Sequence, residues 1–442
     1  MKKIKIMLTI VTTLFVSGML SAQTTTATGT SNPYNLPQQL IDMINKAFDN
    51  YPKLKEGDAY VRMNQSQKDL AKAGYMPTID ADASYRYAKP TPSLSFAFPG
   101  SPPESFSFFP ANNYDFHLGA TLPIWDFGRT QANVQKTLAQ IQTSKDNLDN
   151  NKMLLAYQVA ELYVAIIFYN KSIDVQNQQV QLLQENEKII NDRVKDGDAL
   201  KFDLLSTQVR RNNAQNLLID LQNSLKKNYE YLDMLTGQQG DGYITRADIA
   251  FNTEGHEDVT SDKSFDLLLL NDQLKSTELD IKAARNNWLP NLFGQGKIGY
   301  ANGYIPDVNK IMAFGSIGVG LSIPIYGADR PNYRIKIAKI NAEAAKYNIQ
   351  ATKMNLDKNI AQAKSDLEAI NTKLKNYVIQ VDQAKEALNL ANIRYKAGVI
   401  TNLELLTAQT DLQNAQLGYI QLAFSKLQSI LTLNQIGGTK FW

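Results

Sequence analysis

Two carboxylates hold matching places in this sequence. Asp203 follows Gly197 by six residues, and Glu404 follows Gly398 by six. A glycine that can close one helix, followed by an acid in the first two turns of the next, puts the carboxylate against a helix N-terminal dipole. Repeated in several copies around an axis, the same acid makes a ring of like charge. Such a ring favours cations and raises each carboxylate's pKa by repulsion. Other chemistry is scarce. Cysteine is absent and histidine occurs only at His117 and His256, which leaves no inventory for a His/Cys metal site or a histidine-based triad. No Gly-rich nucleotide cradle or nucleophile elbow is present. The expectation is a protein that is not an enzyme and needs no metal or cofactor.

The bulk charge points the same way. Lys and Arg total 46 against 43 Asp and Glu, and three of the lysines sit in the first five residues. A chain this balanced offers no global basic field for nucleic acid. Those lysines, the apolar run Ile6 to Val16 and the small residues up to Ala22 read as a secretory signal peptide over residues 1–22. No later segment reaches 18 consecutive apolar residues, so any membrane crossing falls to strands.

The elements that position the two acids are written twice. Leu122-Pro123-Ile124-Trp125 is answered by Ile323-Pro324-Ile325-Tyr326, and Arg193 to Gly197 by Arg394 to Gly398, each at an interval of 201 residues. Gly74-Tyr75-Met76-Pro77 pairs with Asn287-Trp288-Leu289-Pro290 at a longer interval, which implies an insertion between the strands of the first half. Glycine and proline are both missing from Arg129 to Asp196 and from Asn332 to Ala397. Each stretch makes a helix about 100 Å long if it is continuous. From Leu356 through Ile360, Leu367, Leu374, Val381 and Leu388 to Tyr395, apolar residues recur at alternating steps of four and three, the seam of a coiled coil. A plain coiled-coil rod would carry the same seam.

Strands add what a rod lacks. Thr78 to Tyr87, Tyr114 to Ile124 and Ser316 to Ile325 alternate apolar and polar residues, and Leu292 to Tyr300 is a weaker, glycine-rich fourth case. Their length suits a tilted membrane strand. Lys89 to Asn113, rich in Pro, Ser and Phe, reads as an external loop. Four strands cannot close a barrel with a lumen, so strands that enter lipid must be completed by further copies.

The layout resembles the TolC-type outer-membrane efflux proteins over nearly the whole mature chain. The resemblance rests on the opening helix with Asn50-Tyr51-Pro52-Lys53-Leu54, on the strand–proline–helix junctions, and on the duplicated Gly-x5-[Asp/Glu]-x-Leu turn, 74 residues after a strand proline in both halves. It implies a mainly α fold with membrane β. Duplicated long helical hairpins form a periplasmic α-barrel, and four β-strands per chain enter a trimeric 12-stranded outer-membrane β-barrel. The organisation is a signal peptide at 1–22, then a first repeat at 23–237 with strands near 78–88 and 113–125 and a hairpin near 129–236. A linker at 238–263 follows. The second repeat, 264–442, has strands near 291–301 and 313–326 and a hairpin near 331–436.

The function so implied is the exit duct of a tripartite efflux or type I secretion system, without catalysis. Its implied partners are two sister copies, outer-membrane lipid, a periplasmic adaptor and an inner-membrane pump of RND or ABC type. The resemblance also assigns residues. Glu404 matches an acid that rings the periplasmic mouth, and Thr407 stands where a second acid normally follows. Asp203 and Tyr395 match positions that bond to each other when the mouth is closed, while Ile400 replaces an arginine that joins them. Gly197 and Gly398 set the hairpin tips where an adaptor docks, and Pro77, Pro123, Pro290 and Pro324 mark the strand–helix junctions. The competing reading is a periplasmic coiled-coil adaptor or scaffold with no pore.

Overall fold

The computed structural model describes residues 37–97, 99–100, 102, 104–239, 244, 259–440 and 442; the signal peptide and most of the 238–263 linker, His256 included, lie outside them. The order is α1 (Gln38–Asn50), α2 (Pro52–Ala73), β1 (Thr78–Tyr87), β2 (Ser93–Phe96), β3 (Glu104–Ser107) and β4 (Asn112–Trp125), then α3 (Arg129–Lys195) and α4 (Lys201–Thr236). The second half runs α5 (Phe265–Asn286), β5 (Asn291–Ala301), β6 (Met312–Ser322), α6 (Arg330–Lys396) and α7 (Asn402–Ile436). The duplication is visible in three dimensions. α3 and α6 are both 67 residues long, and α2 and α5 are both 22. The extra length of the first half is the β2–β3 hairpin, a sheet of its own. The sequence reading treats that segment as loop. Its missed signal is the alternation Ser93-Leu94-Ser95-Phe96 against Ser105-Phe106-Ser107, which pairs serine with serine and Leu94 with Phe106.

Helix α3 is the spine. Its middle, from Met153 to Ile167, is buried almost without interruption, because α1, α4, α5 and α7 all pack on it. Leu40, Ile44 and Ala47 of α1 and Leu232 and Leu235 of α4 meet Ala156, Val159 and Ile166 there. This stretch is apolar and long enough to cross a bilayer, yet 67% of its most apolar window is covered by the chain itself, as in the core helix of a water-exposed bundle. The C-terminal Trp442 joins the same core, edge-on to Phe48 at 5.9 Å, and Tyr157 donates from its hydroxyl to Thr439 O at 2.9 Å. The terminal aromatic therefore serves the helical core and not a strand.

The main sheet has the order β1-β4-β5-β6, all antiparallel, and its outer strands β1 and β6 have no further neighbour among the described residues. β6 stops pairing at Ser322 rather than running on to Tyr326. Pro324 lies just beyond, and a proline has no N–H to give a ladder.

Candidate functional site

The register sorts every side chain of the sheet onto one of two faces. Ile79, Ala120, Gly296 and Ile317 form one row across the four strands, and Ala81, Leu118, Ile298 and Gly315 the next. The face they share is apolar and uncovered: Ile79 is 71% exposed and Ile317 94%. The opposite face carries the row Asp80, Gly119, Lys297 and Ser316, then Asp82, His117, Gly299 and Phe314. His117 lies between two carboxylates on this polar face, 2.8 Å from Asp115 and 3.5 Å from Asp82. An apolar outside and a polar inside is the pattern of a barrel wall whose interior is wet. A four-stranded wall with two open edges is a fraction of such a barrel, since unpaired edge groups in lipid cost several kcal/mol each.

The junctions between wall and helices are strained in the same way in both halves. Phe127 and Gly128 before α3, and Ala328 and Asp329 before α6, all have positive φ. Asp126 secures the first junction by accepting from Gly128 N at 3.0 Å and Thr130 N at 2.6 Å. The matching residue in the second half is Gly327, where a Cβ would come within 2.3 Å of the Trp288 ring. Neither residue is legible as a junction element in the sequence. Pro77 and Pro290 stand directly before β1 and β5, Pro123 lies near the end of β4, and Pro324 follows β6.

At the far ends of the helices, Gly197 (φ 85°) and Gly398 (φ 71°) make the turns. Asp198 N donates to Arg193 O at 2.7 Å and Val399 N to Arg394 O at 2.9 Å, which closes each long helix with a left-handed cap. Open space surrounds both glycines, so backbone conformation and not crowding demands them. The returning helices start differently. Thr401 and Glu404 form a capping box: Glu404 N donates to Thr401 Oγ1 at 3.3 Å, and Glu404 Oε2 accepts from Thr401 N and Oγ1, both at 2.8 Å. The Thr401 N–H, then its hydroxyl, and the nearby Arg394 hold the Glu404 carboxyl below the usual range. In the first half no side-chain cap is made. The N-cap is Leu200, with no side-chain hydrogen bond, because the turn leaves Asp198 too early to face the first free N–H groups.

Between the tips and the core runs a polar seam that sequence reasoning misses. Buried Asn186 of α3 donates to Asn402 Oδ1 at 3.0 Å, and Asn402 Nδ2 donates to Thr207 Oγ1 of α4 at 3.1 Å. Higher up, Gln413 Nε2 donates to Gln176 Oε1 at 2.7 Å, and Gln176 Nε2 to Ala214 O at 2.7 Å. These bonds tie the two hairpins together. The only signal for them is a run of amides at positions where a coiled coil expects apolar side chains. Tyr395 is buried beside Leu388 and Leu405, with the Arg193 guanidinium 5.1 Å from its ring centre. Within one chain no hydrogen bond joins it to Asp203. Thr407 is exposed and donates to Leu403 O at 2.8 Å. Among the described residues no cluster of three or more His, Asp or Glu is placed to hold a metal.

This geometry has relatives. The profile of the family described as outer membrane efflux protein matches residues 43–238 and 261–439. The chain is similar to the outer membrane efflux protein BepC of Brucella suis biovar 1, at 22% identity over 87% of this chain and 82% of that one. It is similar to the alkaline protease secretion protein AprF of Pseudomonas aeruginosa, at 20% identity over 85% and 79%. Its fold matches the outer membrane protein VceC from Vibrio cholerae with a TM-score of 0.73 at 18% identity, covering 92% of this chain and 97% of that one. It also matches the CmeC outer membrane channel of Campylobacter jejuni with a TM-score of 0.74 at 16% identity, covering 91% and 86%. A poreless periplasmic scaffold accounts for neither the sheet nor these matches. Two duplicated hairpins hung from a four-stranded wall are the TolC-type architecture, and this chain belongs to the outer membrane efflux protein family, a channel of the outer membrane with a long periplasmic part.

Proposed function

We propose that three copies of this chain close the wall into a 12-stranded barrel, and that the resulting duct takes cargo from an adaptor and an inner-membrane pump of RND or ABC type. The observation that carries this reading is the open sheet: β1 and β6 end it on either side, with one face apolar through the rows of Ile79, Ala81 and Ala83. Pairing β6 of one copy with β1 of the next satisfies both edges without a new element. Helix α6 supports the same assembly. Tyr333, Ile337, Ile340, Tyr347 and Met354 form an uncovered apolar stripe along it, each more than half exposed, and a sister copy is the neighbour that could cover it.

The mouth lies at the hairpin tips. Glu404 of each copy contributes to a ring of like charge, with Thr407 one turn further on and Asp203 and Tyr395 flanking it. The capping box occupies only Oε2 of Glu404, so its other oxygen is free to face the opening. Gly197 and Gly398 set the tips that an adaptor grips. Glu404→Gln is expected to lower cation preference in planar-bilayer recordings while leaving the closed fold intact. Unchanged ion selectivity would remove Glu404 from the mouth.

A further inference from the structure

The connection between β5 and β6, residues 302–311, lies at the end of the sheet away from the helices. It is built to hold one shape. Asn302 continues the ladder with its side chain: Oδ1 accepts from Tyr114 N at 2.8 Å, and Nδ2 donates to Asn112 O at 2.6 Å. Gly303, with φ 99°, turns the chain, and its N–H donates to Val308 O at 2.8 Å. A second turn follows, where Asp307 accepts from Asn309 N through Oδ1 at 3.3 Å and from Lys310 N through its carbonyl at 3.2 Å. Buried Pro110, from the connection into β4, braces the loop, with its Cδ 3.7 Å from where a Cβ of Gly303 would stand.

The loop bends over the polar face of the sheet and not the apolar one. The Tyr304 ring lies 6.1 Å from the Phe314 ring, which in turn lies 6.2 Å from the ring of His117. Phe314 and His117 share one row of the polar face. Ala301, one row nearer the loop on that face, is buried, while its neighbour Tyr300 on the apolar face is exposed. Val308 is buried as well. The charges of Asp82, Asp115 and Lys297 thus give way, at the outer end, to apolar side chains on the water side of the wall. Tyr304 is 40% exposed there and Ile305 72%. The loop's shape rests on the hydrogen bonds of Asn302, Gly303 and Asp307, so neither of these two side chains is spent on holding it.

From this geometry we infer that Tyr304 and Ile305, backed by Phe314, form an apolar collar at the outer end of the lumen that limits the size of molecule able to pass. The inference rests on the sheet being the wall of a closed barrel with its polar face inward. One such loop per copy narrows the exit evenly around the axis, and a loop pinned at its base does so without swinging. Apolar side chains at a narrowing also hold water poorly, which adds to the barrier for bulky hydrated molecules.

The chain contains no cysteine, so a single introduced thiol reports without background. Ser316→Cys places one on the polar face, on the helix side of Phe314, and Ile317→Cys places one on the apolar face. The full chain in the outer membrane of intact cells is treated from outside with a small charged maleimide and with a graded series of polymer-linked maleimides. Ser316→Cys is expected to react with the small reagent and to reject polymers above a size cut-off. Adding Tyr304→Ala and Ile305→Ala should move that cut-off to larger polymers and leave the rate with the small reagent unchanged, while Tyr304→Phe should keep the original cut-off. If the variant with both alanines does not reach the membrane, Ile305→Ala alone should give a smaller shift in the same direction. A cut-off that does not move, or the absence of any cut-off, would overturn the inference. A Ser316→Cys thiol that resists even the small reagent, or an Ile317→Cys thiol that reacts equally with it, would sink the barrel reading itself and the inference with it, a distinct result.

Discussion

Helices α3 and α6 are equal in length and occupy equivalent places in the duplication, yet they are covered very differently. α3 has twenty-three buried residues and α6 only seven. The difference lies in their neighbours. α3 is surrounded by α1, α2, α4, α5 and α7, whereas α6 packs mainly on α5 and α7. One copy of the repeat has become the core of the chain, and the other has kept most of its length uncovered. Duplication supplied two equivalent helices, and the rest of the chain covers them unequally.

The sharpest way to break this comparison is to place the same charge on each helix. Ile166 is fully buried in α3, and Ile166→Asp should cost several kcal/mol and leave no folded chain, read as loss of cooperative melting. Ile340 is 52% exposed in α6. Ile340→Asp should leave the chain's helical circular dichroism intact and lower the oligomer mass. If both variants unfold alike, α6 is a core helix and the contrast is void.

A second, smaller contrast separates the two tips. Thr401→Ala removes a side-chain cap that the first hairpin never had, and should cost about 1 kcal/mol, measured by thermal melting at neutral pH. The folded pKa of Glu404 is depressed, so its contribution is present above the ordinary carboxylate range and is lost as pH falls through the folded value. The gap between Thr401→Ala and the unaltered protein should therefore narrow in acid. A gap that widens below the carboxylate range would contradict the capping box.

The smallest effect sits where the two repeats meet. Burial, and then the neighbouring Asp146 carboxyl of α3, pushes Asp272 of α5 up to about 6. A carboxyl whose folded pKa lies above its unfolded one favours folding in acid and loses that advantage as pH rises to about 6. At neutral pH the site is thus a net cost. Asp272→Asn should raise thermal stability there by on the order of 1 kcal/mol, after allowance for solvent screening, and the gain should vanish in acid. Equal stability at neutral pH would show that Asp146 and Asp272 do not repel.

Much of this was legible in the sequence because it depends on local rules. Glycine and proline must interrupt long helices, so their absence marks α3 and α6. Period-2 alternation marks β1 and β4, and the 3.5-residue seam ending at Tyr395 lies against α7 with Leu356, Ile360, Leu367 and Leu388 buried. What was not legible depends on partners far apart in the chain. Gly327 is needed because Trp288 crosses it, and the Asn186–Asn402–Thr207 chain joins three helices that no local pattern brings together. Polar residues in a seam look like exposed positions until the element that buries them is known. Tyr395 shows the same limit: its seam position was readable, but the Arg193 cation over its ring was not.

The central claim is that sister copies complete what one chain leaves open, at the edges of β1 and β6 and along α6. The native mass of the detergent-extracted particle tests it most directly. The account predicts a particle of three chains that stays with the outer-membrane fraction until detergent is added. A single chain, soluble in water without detergent, would contradict it.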